Sequence, residues 1–191
     1  FSATVSAVER EEDLAAYWSF DEVSGGMIKD LSGNGIHLSV ENSGFELEDG
    51  FRGKTLRFDA DNTAYDAQGD HMKCTTDKLT SLLNGSDAIT VTGYIKKYNS
   101  NAVTNNIPAF KYNPGFGAIM LFPDKDSFVA QVRSSSKDPL AAVRATNVFY
   151  ATKGVGNNRC GWMQFAFVID YPSKTVKFYS DGALAFEQAV T

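Results

Sequence analysis

Residues 88–97 read AITVTGYIKK, and their alternation is the strongest constraint this chain places on its own fold. Successive side chains on a strand point to opposite faces. Ile89, Val91 and Ile95 therefore share one face, while Thr90, Thr92, Tyr94 and Lys96 share the other. A strand with one apolar and one wetter face belongs to an antiparallel sheet packed on one side. Residues 162–170, WMQFAFVID, carry apolar side chains on both faces, as a central strand does, and 176–179 supplies a partner for it. Further strands are expected at 14–21, 55–59, 71–75, 117–122 and 127–133, and near 145–150.

The punctuation between these runs agrees with short strands. Gly25-Gly26, Gly33-Asn34-Gly35 and Ser180-Asp181-Gly182 are turn chemistry, where positive φ costs little. Leu79, Leu82 and Leu83 fall at helical spacing, with Asp77 placed to cap and Gly85 to stop, so one short helix is expected over 77–83. Strands at short spacing with turn signals between them predict an all-β, antiparallel β-sandwich with at most one short helix.

At 191 residues the chain suits one domain with a full core, so neither a metal nor a disulfide is needed for folding on grounds of size. Residues 1–13 read as an N-terminal extension and 14–191 as the domain. Net charge is −5 and no basic run occurs, which argues against nucleic acid and anionic membranes as partners. No stretch approaches the roughly 18 apolar residues of a membrane span. The first residue is Phe1, which fits either removal of an export signal or a trimmed start. Cys74 and Cys160 have no metal-type spacing; one disulfide and two buried thiols both remain open.

Four blocks, in order, carry a family resemblance. They are Tyr17-Trp18-Ser19-Phe20-Asp21 followed by Asp30-Leu31-Ser32-Gly33-Asn34-Gly35; Thr55-Leu56-Arg57-Phe58-Asp59; the strand from Ala88 to Lys96; and Trp162 to Asp170 paired with Val176 to Gly182. Together they resemble laminin-G-like domains of the concanavalin A-like jelly-roll superfamily. The resemblance implies a jelly-roll sandwich, an extracellular or cell-surface location, and burial of Trp18 and Trp162 in the core. Family members continue past the Asp-Gly turn with further strands. The resemblance therefore implies that the last strands are missing here, or that another segment or another chain supplies them.

Many members of that family hold calcium near the first strand and the D-x-S-G-N-G loop. The resemblance places such an ion at Asp21, Asp30 and Asn34, whose carboxylate and amide oxygens are the hard donors Ca²⁺ prefers. The competing reading makes Asp30 and Asn34 Asx-turn residues and Asp21 the end of a strand. Glucanases of the superfamily carry Glu-x-Asp-x-Glu on one strand face, and this chain has no such triplet. Glu46-Leu47-Glu48-Asp49 has different spacing and reads as a solvated acidic hairpin. No Gly-x-Ser-x-Gly elbow and no phosphate loop occurs, so no catalytic residue is assigned.

Residues 98–117 combine planar amides with aromatic rings, the groups that bind sugars. Tyr98, Asn99, Asn105, Asn106, Tyr112 and Asn113 are the candidate ligand-binding residues there, and Tyr94 on the wetter strand face and Tyr150 are further, lower-ranked candidates. The expected function is a non-catalytic, extracellular carbohydrate-binding, lectin-like module whose partner is a glycan or cell-surface polysaccharide, with structural calcium. The first alternative is a structural or adhesive surface subunit that binds another protein chain by strand pairing. The second is a glycan hydrolase or lyase with an unrecognised site.

Overall fold

The computed structural model describes residues 13–41, 45–58, 71–74, 76–96, 110–112, 117–124, 127–134, 139–145 and 161–190. The chain divides into two compact units, 1–84 and 85–191. In both, the described strands pair antiparallel.

The first unit holds β1 (Met27–Ile28), β2 (Leu38–Glu41), β3 (Phe45–Asp49), β4 (Lys54–Phe58), β5 (His71–Lys73) and α1 (Lys78–Leu83). β1, β2 and β5 form one sheet in the order β1-β2-β5, and β3 and β4 form a hairpin. The expected acidic hairpin is this one, with its charges paired. Glu46 meets Arg57 at 3.2 Å and Asp49 meets Lys54 at 2.6 Å. The helix lies where the leucine spacing put it. Asp77 occupies the N-cap position but makes no side-chain capping bond. Gly85 follows the helix with φ +81°, a conformation that favours glycine.

The strand expected at 14–21 does not form. Phe20 adopts φ +63°, a left-handed conformation that breaks an extended run. The segment is instead tied down one bond at a time. Leu31 N–H donates to Tyr17 C=O at 2.8 Å, and Trp18 Nε1–H donates to Ile36 C=O at 2.8 Å. Trp18 is half-buried.

The second unit is a two-layer sandwich. It holds β6 (Ala88–Lys96), β7 (Phe110–Tyr112), β8 (Gly117–Asp124), β9 (Ser127–Ser134), β10 (Pro139–Ala145), β11 (Trp162–Asp170), β12 (Thr175–Ser180) and β13 (Ala183–Ala189). One sheet runs β10-β9-β8-β7 and the other β13-β12-β11-β6. Their inner faces meet in one core of Ile119, Leu121 and Ala130 from the first sheet and Met163, Phe165, Phe167, Ile169, Val176 and Phe178 from the second. Ile89, Val91 and Ile95 pack against it, as the alternation of β6 predicts. Burying each such side chain contributes about 1.5–3 kcal/mol, so this interface dominates the unit's stability.

β11 alternates between buried and half-buried residues along its whole length, and it lies between β12 and β6. Met163, Phe165, Phe167 and Ile169 face the core. Trp162 falls on the opposite face with Gln164, Ala166 and Val168, which corrects the expectation that it is a core residue. The Asp181-Gly182 turn has positive φ at both positions, +49° and +80°, the geometry of a tight hairpin. Beyond it β13 pairs with β12, so a strand does follow the turn. Its mostly exposed residues gave no alternating signal.

Candidate functional site

The D-x-S-G-N-G loop is built around one carboxylate. Asp30 is buried, and both of its oxygens are occupied. Oδ1 accepts from Tyr17 N–H at 3.0 Å and Ser32 N–H at 2.9 Å. Oδ2 accepts from Ser32 Oγ–H at 2.8 Å and Ile36 N–H at 2.9 Å. Burial pushes the Asp30 carboxyl pKa up, but the donors from Tyr17, Ile36 and Ser32 together hold it below its ordinary value. Asn34 extends the same scaffold, donating both Nδ2 hydrogens, to Leu14 C=O and Ala15 C=O at 3.0 Å each.

Asp21 is engaged elsewhere. Its Oδ1 accepts from Lys54 N–H at 3.0 Å, a bond that with Ser19 lowers the carboxyl pKa. Gly53 packs directly on that carboxylate with φ +66°, leaving no room for a Cβ. A calcium ion held by Asp21, Asp30 and Asn34 does not fit these residues as placed. A carboxylate offers about four lone-pair positions, and four donors already fill those of Asp30. Among the described residues no group of three His, Cys, Asp or Glu side chains is arranged to hold a metal. The arrangement is the Asx-turn scaffold, with the loop clamping residues 14–17.

Beside this loop, a wide-mouthed hollow of about 540 Å³ is lined by Asn34, Thr76, Asp77, Lys78, Ser81 and Leu82. Several of its polar groups are turned inward to the fold. Ser81 Oγ–H donates to Asp77 C=O, and Thr76 Oγ1 accepts from Lys78 N–H.

Of the candidate sugar-binding residues, Tyr98, Asn99, Asn105, Asn106, Asn113 and Tyr150 lie outside the described residues. Tyr112 is on β7, half-buried, and packs against the core cluster. That placement makes it an anchor for the sheet.

The outer face of the β13-β12-β11-β6 sheet gathers a different set. Tyr94 stands directly opposite Gln164, Lys96 opposite Trp162, and Ala166 between Thr92 on one side and Tyr179 on the other. Tyr94 is 45% exposed. Gln164 Nε2–H donates to Thr92 Oγ1 at 3.1 Å, and Thr92 Oγ1–H donates to Phe165 C=O at 2.7 Å. Lys96 Nζ sits 5.9 Å from the centre of the Trp162 ring, within cation–π range. The alternation of β6 marked Tyr94 as outward-facing. Nothing local in the sequence marks Gln164 and Ala166 as outward-facing, because β11 reads as apolar on both faces.

No protein-family profile matches the chain, and no curated protein matches it. Solved structures do. The chain is similar to the binding domain of Paraclostridial Mosquitocidal Protein 1, with TM-score 0.62 and 18% identity over 93% of this chain and 41% of that one. It is similar to the binding domain of botulinum neurotoxin DC solved in complex with rat synaptotagmin II, with TM-score 0.60 and 12% identity over 94% and 40%. It is also similar to a structure of botulinum neurotoxin type C, a toxin whose cell entry depends on interaction with two ganglioside molecules, with TM-score 0.60 and 12% identity over 94% and 39%. At these identities the likeness establishes the fold, an all-β antiparallel sandwich architecture with one short helix among the described residues. The chain spans about two-fifths of the length of each of those solved chains.

Proposed function

We propose that this chain is a non-catalytic carbohydrate-binding module of an exported protein that acts at a cell surface. The observation that carries the reading is the likeness in fold, over nearly the whole chain, to the binding domains of toxins. Cell entry of botulinum neurotoxin type C, a third of the similar structures, depends on interaction with two ganglioside molecules, which are glycan-bearing lipids. The resemblance of the sequence blocks to laminin-G-like jelly rolls points to the same class of role. Fold alone does not fix function, so the test has to be binding. Calcium is no part of the proposal, because the Asp30 carboxylate is already saturated by protein donors. No described helix is long and apolar enough to cross a membrane.

The deciding experiment is a glycan array probed with the folded chain, with calcium and again with chelator. Saturable binding to a defined glycan in both conditions is expected. A folded sample that binds no glycan overturns the reading. A protein partner is the second reading, favoured by the neurotoxin binding domain solved with synaptotagmin II. It predicts capture of a membrane-protein ectodomain without any glycan requirement.

A further inference from the structure

We propose that the hollow between the Asp30 loop and α1 is the glycan site, and that it takes a neutral pyranose. The Asp77 carboxylate accepts from sugar hydroxyls, the Lys78 ammonium donates to a sugar oxygen, and Leu82 lies against the C–H face of the ring. The assignment rests on the carbohydrate-binding reading and adds to it a place and a chemistry.

The hollow measures about 540 Å³, within the range of about 300–1,000 Å³ typical of small-molecule sites. Its lining residues all belong to the first unit. One wall is Asn34 and the other is residues 76–82. Both walls are tied down. Asn34 is held by its two Nδ2 bonds to Leu14 and Ala15 and by its own N–H, which donates to Ser32 Oγ at 3.2 Å. The helical wall is held by Ser81 Oγ–H on Asp77 C=O at 3.0 Å. Lys78 Nζ donates to Asn34 C=O at 3.5 Å and so joins the two walls.

The fold does not use every polar group of the lining. Thr76 Oγ1 serves Lys78 N–H, and the Ser81 hydroxyl hydrogen is spent on Asp77. The Asp77 side chain is exposed and makes no capping bond, although it occupies the N-cap position. Its carboxylate is therefore an acceptor that the helix leaves over. The Lys78 ammonium has three hydrogens and gives one to Asn34. Asn34 has spent both amide hydrogens, so it offers only its Oδ1, another acceptor. Leu82 is the apolar member of the lining and is 44% exposed. One carboxylate and one ammonium give the lining side chains no net charge. A hydroxyl both donates and accepts, so a row of hydroxyls satisfies the carboxylate, the amide oxygen and the ammonium without a charge of its own. A pyranose carries such a row beside an apolar C–H face, which matches Leu82. An acidic sugar would set its charge against Asp77. Walls fixed before the ligand arrives keep the entropy lost on binding small.

The test uses the whole chain, an array of neutral and acidic pyranose glycans, and titration in solution of the best-bound neutral oligosaccharide. Asp77→Asn is expected to weaken binding by about tenfold, the loss of one hydrogen bond to a charged group. Leu82→Ser and Lys78→Met are each expected to weaken it severalfold. Asp87→Asn removes an exposed carboxylate of the second unit and serves as the control with unchanged affinity. Unchanged binding by folded Asp77→Asn and Leu82→Ser overturns this site and leaves the carbohydrate-binding reading standing. Binding confined to acidic glycans also overturns this site and leaves that reading standing. An unmodified chain that binds no glycan overturns both. Should a variant fail to fold, amide chemical-shift changes on the unmodified chain decide. Perturbations centred on residues 34 and 76–82 support the hollow, and perturbations confined elsewhere overturn it.

Discussion

The backbone N–H of Ile36 donates to Oδ2 of Asp30 at 2.9 Å, joining two buried residues six positions apart. Three other donors converge on the same carboxylate, from Tyr17 and Ser32. Asp30→Ala removes every acceptor at once, taking from the buried Ile36 N–H the oxygen it donates to and from Ser32 two of its bonds. An orphaned buried donor costs about 1–3 kcal/mol, so a loss of roughly 3–5 kcal/mol is expected for the first unit. Asp30→Asn keeps one carbonyl oxygen and should cost about half as much. Urea unfolding checks this. Of the two tryptophans, Trp18 lies in this unit, so a Trp162→Phe background lets its fluorescence report the unit alone.

The same carboxylate makes stability depend on pH. Its folded-state pKa is depressed, because the donors from Tyr17, Ile36 and Ser32 outweigh the opposing effect of burial. A depressed carboxyl contributes stability that is present above its unfolded pKa, about 3.9, and lost as pH falls through the folded value. Asp21 and Asp170 shift the same way through backbone N–H donors from Lys54 and Ser173. The urea midpoint is therefore expected to hold steady near neutral pH and to fall below about pH 4. Asp30→Asn should flatten the acid limb. An acid limb of unchanged steepness in that variant would remove Asp30 from the account.

Calcium should leave the thermal midpoint where it is. A ligand at a hundred times its dissociation constant stabilises the native state by about 2.7 kcal/mol, which a melting curve reads easily. An ion at Asp21, Asp30 and Asn34 has to break the bonds that organise residues 14–17 before it gains its six to eight oxygens. The measurement is differential scanning fluorimetry in millimolar calcium and in chelator. A calcium-dependent rise of several degrees contradicts this account of the loop.

What could be read in the sequence follows a physical divide. β6 was legible because a strand with one core face and one water face must alternate, and Ile89, Val91 and Ile95 do pack inward. β11 was legible as a strand but not in phase. With apolar residues on both faces nothing local says whether Trp162 or Met163 turns to the core, and the structure chooses Met163. The Asp30 loop is legible as a motif, but the motif by itself leaves two readings. An Asx-turn and a calcium loop use the same Asp, Asn and Gly. What separates them is which donors reach the carboxylate, and here two come from Tyr17 and Ile36, well outside the turn. Gln164 and Thr92 lie 72 positions apart and become neighbours only through strand register, which no local pattern records.

Register also explains why residue 93 is glycine. Gly93 sits opposite Phe165 across β6 and β11, and a Cβ placed on it would lie 3.3 Å from both Cε1 and Cζ of the Phe165 ring. Phe165 is itself buried in the core between the two sheets. The ring occupies the space a side chain at 93 would fill, so the gap in the alternation of β6 is a packing feature. Gly93→Ala demands a shift of a few tenths of an ångström from a ring that close-packed neighbours hold. Overpacking of this kind costs about 1–3 kcal/mol, offset in part by the lower flexibility of alanine in the unfolded chain. A net loss of about 1 kcal/mol or more is expected, rising for Gly93→Val. Pairing Gly93→Ala with Phe165→Leu checks the cause. The shorter, ringless side chain relieves the clash, so the double variant should lose less than the sum of the two single losses. Additive losses would place the cost of Gly93→Ala somewhere other than the Phe165 ring.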